Sequence, residues 1–551
     1  MQKLLSTQKS ISELIDDFKS GRIAVPEIQR DVVWNSDQVK KLLDSISKGF
    51  PCGSLILWEP REKDKKIVET IVRPERKGNL PKYFILDGQQ RLTALSSVML
   101  KRELLKKLLA ELDEELPYIY INLNKLSKEK EMESSDTPTG YKFPWVLHNT
   151  LFDDTFFSNP DYIKMTIEKK DMIRNYCQEI RSYQFPVQII SEQGYPAVAE
   201  IFTRVNSQGT ELTGAEINMA KIVPHWPGVT KKFRDYRYEL TKSSYDLQLN
   251  FLMRAITAIE CGVPQIKKLS EKISKGELKK NHLNKTWNRV MTSTNGIIKV
   301  LQNDLLLDKS KFITSMNSLI PLVSYRAREK RGLAKRDIKK FFLLSQLSEH
   351  YGSSSETRLR NDFRTLNEAS TPRQGLAALV EEVDRESRQE YRALKIKSEV
   401  IYGSPSRNVV LLLMYLLMKK NSATDWGAGP CGSLADIEPA QTQLHHIFPL
   451  NFISEDKVAI KRYLDGGLSE KIFRAHVHSL ANLTFLSQEK NASIGDIPPS
   501  QYLPNETSRE KRRAHFIPED PKLWKPENFM DFLEERSNLI ATAMSRFLKG
   551  L

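Results

Sequence analysis

The chain is poor in cysteine: Cys52, Cys177, Cys261 and Cys431 are its only four, they lie far apart, and no two form a CxxC pair. That excludes a zinc ribbon or an iron–sulfur site built from sequence-local thiolates, and it fits a reducing cytoplasm. No uninterrupted apolar run approaches the roughly 18–20 residues that span a bilayer. The longest, Val409–Met418, reads as a buried helix. The opening MQKLLSTQKSISEL has no apolar stretch ahead of a small-residue cleavage site, so no secretory signal is expected. A membrane protein, a secreted disulfide scaffold and a fibrous protein are excluded. A cytoplasmic location without a membrane partner is the expectation.

What is present is ordinary globular composition, 40% apolar and 28% charged. At ~150 residues per domain, 551 residues call for more than one hydrophobic core. Lys and Arg number 84 against 69 Asp and Glu, a formal charge of +15 that points to a polyanionic partner such as nucleic acid.

Apolar spacing predicts helices at Ile11–Phe18 and Asp37–Ile46, and short buried strands at Ser54–Trp58, Tyr83–Leu86 and Phe185–Ile190. Ile23–Ile28 reads as extended, Lys101–Leu116 as a charged helix and Lys125–Gly140 as a solvated loop. Helices follow at Pro196–Val205 and Gly214–Ile222. From about 230 to 400 the pattern is helical, without an internal repeat. Short strands return around Thr442–Ile447 and Leu483–Ser487, and a last amphipathic helix covers Phe529–Leu548. The expected fold is α+β, multidomain and helix-rich: an N-terminal α/β domain over 1–230, a helical middle over 231–400 and a smaller α+β domain over 401–551.

Near the C-terminus, Thr442-Gln-Leu-His445-His446-Ile-Phe-Pro449 is followed by Leu480-Ala-Asn482-Leu-Thr-Phe-Leu486 and by Asn491. Adjacent strand residues point to opposite faces, so one histidine can bind a metal while the other faces a substrate. Breaking a phosphodiester needs a base for the water, a Lewis acid on the phosphate and a group that orients the base. A histidine, a divalent cation and an asparagine can supply these. The arrangement resembles the HNH, or ββα-metal, nucleases in their His-Ile-Phe-Pro variant. That resemblance makes His446 the general base, gives Asn482 the task of holding its imidazole, and has His445 and Asn491 ligate the metal. A neutral histidine in a slot often filled by Asp suits Mn²⁺ or Ni²⁺ better than Mg²⁺. His476 and His478 read as helix-end or DNA-facing residues.

In the N-terminal part, Tyr83-Phe-Ile-Leu-Asp87-Gly88-Gln89-Gln90-Arg91-Leu-Thr93 reads as strand, tight turn and helix. A helix N-terminus can seat a phosphate, Gly88 allows close backbone approach, Arg91 could fork onto a phosphate, and Asp87 could hold a metal or orient a water. The companion boxes are Pro26–Trp34, Phe50–Leu55 and Ile201–Leu212. Together they closely resemble the ParB-like domain of the GmrSD-type modification-dependent restriction enzymes and of the phosphorothioate-sensing SspE proteins. In that family the Asp-Gly-Gln-Gln-Arg box is associated with nucleotide binding and hydrolysis. The resemblance therefore implies a nucleotide site at Asp87, Gly88, Gln89, Gln90, Arg91 and Thr93, with Arg30, Arg204 and Asn206 in the accompanying boxes.

Two basic stretches, Arg326–Lys340 and Ser508–His515, could track a DNA backbone, although such runs are commonly solvated helix faces. The expected protein is an NTP-regulated, modification-dependent DNA endonuclease of anti-phage defence, a type IV restriction enzyme that nicks or cuts double-stranded DNA. Its cofactors would be a divalent metal (Mg²⁺, Mn²⁺ or Ni²⁺) and a nucleoside triphosphate (GTP, UTP, CTP or ATP). Its partner would be modified duplex DNA, and a homodimer is compatible with that reading. Two rivals stand beside it: a nucleotide-gated DNA-binding protein with a degenerate nuclease domain, and an RNA-cleaving toxin.

Overall fold

The computed structural model describes every residue except 1–2, 26–33, 66–80, 102, 105–116, 128–132, 136–141, 207–212, 391–394, 403–407, 427–431, 435, 439–440, 456, 468 and 551. The chain forms two compact units. One comprises Met1–Arg234 with Ser270–Lys280, the other Asp235–Leu269 with Asn281–Leu551. Small sheets among many helices make it a helix-rich α+β protein, as the sequence predicts.

In the first unit the strands are β1 (Lys3–Ser10), β2 (Ile23–Ala24), β3 (Leu55–Glu59), β4 (Tyr83–Asp87), β5 (Tyr120–Asn122), β6 (Ser134–Ser135), β7 (Trp145–Leu147) and β8 (Gln184–Ser191). The main sheet is mixed and runs β1-β8-β3-β4-β2. Its β1–β8 and β3–β4 pairs are antiparallel, while β3–β8 and β2–β4 are parallel. The inner strands LILWE and YFILD are almost wholly buried, which is why they read as continuous apolar runs rather than alternating ones. Strands β6-β5-β7 form a separate antiparallel sheet.

Helix α1 (Ile11–Lys19) starts with a capping box between Ser10 and Glu13 and buries Ile11, Leu14, Ile15 and Phe18. Helix α2 (Ser36–Ser47) repeats the device with Asn35 and Gln38. Helix α3 (Gln89–Met99) follows β4 directly and is buried nearly all round. Helices α4 (Ile167–Ser182), α5 (Tyr195–Asn206) and α6 (Gly214–Ile222) complete the parts used below. Most of the expected charged helix at Lys101–Leu116 and the end of the Ile23–Ile28 segment lie outside the described residues.

In the second unit, α7 (Leu319–Arg328), α8 (Lys335–Leu347), α9 (Ser355–Glu368) and α10 (Pro372–Glu390) pack on one another. Buried His350 joins them, 2.6 Å from Glu386 on α10 and 3.0 Å from Asp362 on α9. Helix α11 (Asn408–Lys420) is the expected buried apolar helix. Strands β9 (Thr442–His446) and β10 (Leu483–Ser487) pair antiparallel, and α12 (Gln488–Ile494) follows at once. The final helix, α13 (Phe529–Lys549), lies along the turn before β10.

Candidate functional site

The second unit carries the ββα arrangement. On β9, His445 stands opposite Thr484 and His446 opposite Leu483. Two lysines outside the hairpin fix its start: Lys309 Nζ donates to Leu434 O (2.7 Å) and Thr442 Oγ1 (3.1 Å), and Lys311 Nζ donates to Thr442 O (2.7 Å). Helix α12 begins where Ser487 Oγ accepts from Lys490 N–H, and this brings Asn491 back beside β9.

The two histidines face different surroundings, as strand geometry requires. His445 is buried, with Nδ1 2.8 Å from Asn491 Oδ1 and Nε2 3.4 Å from the Tyr502 hydroxyl. Burial pushes its pKa down to about 4, against the opposing hydrogen bond it donates to Asn491. His446 is half-buried, with Nε2 3.2 Å from Nδ1 of exposed His478. Burial first, and the neighbouring His478 second, lower His446 to about 4 as well, so both imidazoles are neutral at neutral pH.

Asn482 does something other than hold an imidazole. It is fully buried; its Oδ1 accepts from Phe448 N–H (2.9 Å), and its Nδ2 donates to Phe448 O (3.0 Å) and Val477 O (2.8 Å). It therefore clamps the backbone just after His446 and never reaches the ring. A carboxamide matches a backbone amide in donors and acceptors, and here it completes the turn as a main-chain segment would.

The His445–Asn491 pair suits a divalent cation in spacing. Two ligand atoms at ~2.1 Å from one ion and at right angles lie about 3 Å apart. The observed 2.8 Å fits neighbouring ligands once Nδ1 gives up its hydrogen. Asn491 Nδ2 donates to Gln443 Oε1 (2.8 Å), which turns the amide oxygen toward His445. No group of three His, Cys, Asp or Glu side chains suited to a metal occurs among the described residues. Two neutral donors would leave the remaining coordination positions to water or a substrate oxygen.

In the first unit, β4 ends at Asp87, Gly88 turns in the left-handed region (φ 89°), and α3 begins at Gln89. A Cβ on Gly88 would collide with Leu55 Cδ2, and one on Gly53 would collide with the Arg91 guanidinium. Arg91 is the joint: it donates to Asp87 Oδ2 (2.9 Å), Cys52 O (3.2 Å) and Ser54 O (2.9 Å). Gln90 Oε1 accepts from Trp34 N–H (3.3 Å). Three sequence boxes thus meet at this turn. Gln89, Gln90 and Thr93 are buried, which makes them parts of the turn's interior. Arg204 is exposed on the last turn of α5 and pairs with Glu200 (2.6 Å). Arg30 and the side chain of Asn206 lie outside the described residues.

Residues 11–223 match the family model of the N-terminal domain of the GmrSD restriction endonucleases. The chain carries a GmrSD N-terminal domain. The GmrSD stretch takes in the main sheet from β2 to β8, the Asp87–Arg91 turn, and helices α5 and α6. A protein of Methanocaldococcus jannaschii, described only as uncharacterized, is 22% identical over 604 aligned residues, which cover 97% of each chain. The likeness therefore extends beyond the GmrSD domain across the second unit.

The basic stretches are largely engaged within the protein. Arg328 donates to Asn367 Oδ1 (3.0 Å), Lys335 pairs with Asp304 (3.1 Å) and Lys340 with Asp384 (3.6 Å). Arg509 and Arg513 both pair with Glu519. His515, the end of the second stretch, is fully buried between Thr484 Oγ1 (2.7 Å) and Thr424 O (2.8 Å). Sequence reasoning overlooked Arg536, Tyr502 and Lys309, which support the hairpin from distant parts of the chain. It read His478 as a helix-end or DNA-facing residue; His478 does end the Glu470–Val477 helix, but its contact with His446 was not foreseen. The one local signal for His478 is its place immediately before the buried Ser479–Asn482 turn.

Proposed function

We propose that the protein is a metal-dependent DNA endonuclease of the restriction type, acting in phage defence, with its GmrSD domain as a nucleotide-responsive sensor of modified DNA. The observation that carries the nuclease reading is the meeting of His445 Nδ1 and Asn491 Oδ1 at 2.8 Å on a ββα element, with His446 the next residue after His445 on β9. The GmrSD match supports the restriction context. Neutral His446 accepts a proton from the attacking water through Nδ1, and an arriving phosphodiester anion raises its basicity by favouring the imidazolium. A divalent ion held by His445 and Asn491 would supply Lewis acidity at the scissile phosphate. Asn482 keeps the strand end in register, and through such an ion His445 and Asn491 would hold the reacting phosphate relative to His446.

In the GmrSD domain, the Asp87–Arg91 turn opens a helix and is braced by two other boxes, a rigid edge on which a triphosphate can lie. Arg91 Nη1 and Nη2 already hold Asp87 and two carbonyls, so Arg91 acts first as the brace of that edge.

The test is plasmid cleavage by the full chain with Mn²⁺, Mg²⁺ or Ni²⁺, on plain and modified DNA, with and without each nucleoside triphosphate. Cleavage in at least one metal, lost in His446→Ala while nucleotide hydrolysis persists, is the expected outcome. A gel shift without any nicking would favour a nucleotide-gated DNA-binding protein instead. That His445 belongs to no group of three His, Cys, Asp or Glu side chains suited to a metal among the described residues is the observation on that side.

A further inference from the structure

The His446–His478 contact contains one hydrogen, and its ownership decides whether His446 can work as a base. The rings meet edge-on, 76° between planes with centroids 5.3 Å apart, so the contact runs nitrogen to nitrogen rather than through stacked faces. A neutral imidazole carries one N–H and one lone pair. Were His478 the donor, His446 would hold its hydrogen on Nδ1 and present no lone pair outward. With His446 donating from Nε2, its Nδ1 keeps the lone pair, and among the described residues nothing hydrogen-bonds that atom.

The backbone around His478 is set from both sides. The helix Glu470–Val477 ends on it, with its N–H directed at Arg474 O and His476 O. The next residues form the buried turn Leu480–Asn482, whose carbonyls at 480 and 481 accept from Arg536 at 3.1 and 2.6 Å. Asn482, the sequence's own candidate for the task, has both polar atoms engaged with backbone. We infer that His478 is the positioning residue for His446: its Nδ1 accepts the His446 Nε2–H, fixing the tautomer and plane of that ring, as a carboxylate or carbonyl does beside other catalytic histidines. His478 Nε2–H is left facing outward on an exposed side chain.

This inference rests on the nuclease reading for its consequence, but the pairing can be seen without cleavage. Nitrogen-15 NMR of the full chain with labelled histidine reads the tautomer of His446 in wild type, His478→Ala and His478→Asn. Asparagine puts an acceptor oxygen where Nδ1 lies. Wild type and His478→Asn are expected to hold the Nε2–H form, and His478→Ala a mixture of the two forms. In Mn²⁺-dependent plasmid cleavage, His478→Ala should lower kcat about 10–100-fold with KM little changed, and His478→Asn should restore most of it. An unchanged urea midpoint for His478→Ala excludes misfolding as the cause. A wild-type Nδ1–H form, a His478→Ala protein cutting at the wild-type rate, or equal loss in Ala and Asn variants would each overturn the inference. The expected tautomers in a wild type that cuts nothing would uphold the pairing and overturn the nuclease reading.

Discussion

Asn482 shows how one side chain can matter to a site without touching its chemistry. It is fully buried and satisfies Phe448 N–H, Phe448 O and Val477 O in one carboxamide. Truncation to alanine leaves those three backbone groups without partners in a place water does not readily reach. The expected loss is about 3 kcal/mol of folding stability, read from urea or thermal unfolding, together with loss of cleavage. A full-strength fold that still fails to cut would place Asn482 in the chemistry after all. At this scale the sequence placed His445, His446 and Asn491 on one hairpin-and-helix element, and the pairing of β9 with β10 brings Asn491 to His445. The sequence disclosed neither the partner of His446 nor the job of Asn482. Those depend on how the 447–482 segment folds back, through helices at Leu450–Glu455, Lys457–Asp465 and Glu470–Val477 that no local pattern orients.

Among the elements, α13 has the clearest influence on the hairpin. Arg536 at its centre is fully buried and donates to Leu480 O (3.1 Å), Ala481 O (2.6 Å) and His515 O (3.1 Å). Three charge-assisted hydrogen bonds at about 1.5–3 kcal/mol each are opposed by several kcal/mol for burying a guanidinium without a carboxylate. The opposing effects are of similar size, so the arginine specifies where α13 docks more than it adds stability. Arg536→Met should shift the unfolding free energy by only about 1 kcal/mol, while hydrogen exchange over Leu480–Leu486 speeds up. A large stability loss with unchanged exchange would contradict that division. Elements of this kind were readable where burial imposes a period: α1, α2 and α13 by their 3.6-residue stripe, β3, β4 and β8 by apolar runs of strand length. Strand β1 was not, because it is an edge strand whose Leu4 and Leu5 are each 55% exposed, and its partner β8 lies about 180 residues away. Strands β5, β6 and β7 are too short to show alternation at all.

The molecule as a whole carries a formal charge of +15, yet Lys335, Lys340, Arg509 and Arg513 in the runs that suggested a DNA track are paired within the fold. Two buried neutral histidines each contribute to its response to acid. His148 in the first unit donates Nδ1–H to Val98 O (2.7 Å) and has the Tyr176 hydroxyl 2.7 Å from Nε2, and burial lowers its pKa to about 4. His515 in the second unit is likewise lowered to about 4, by burial first. The folded pKa lies below the unfolded value of ~6.5, so each histidine contributes stability that is present above pH 6.5. As pH falls from there toward 4, the unfolded chain takes up a proton the folded chain refuses, and the contribution drains away. The loss at pH 5 is about 2 kcal/mol for each histidine, and both units carry one. Urea midpoints at pH 7 and pH 5 should differ accordingly. His148→Gln should be less stable at pH 7 but show a smaller difference between the two pH values. A wild-type midpoint that does not move between pH 7 and pH 5 would mean these imidazoles are hydrated in solution, and the tight packing around His148 and His515 would have to be abandoned with them.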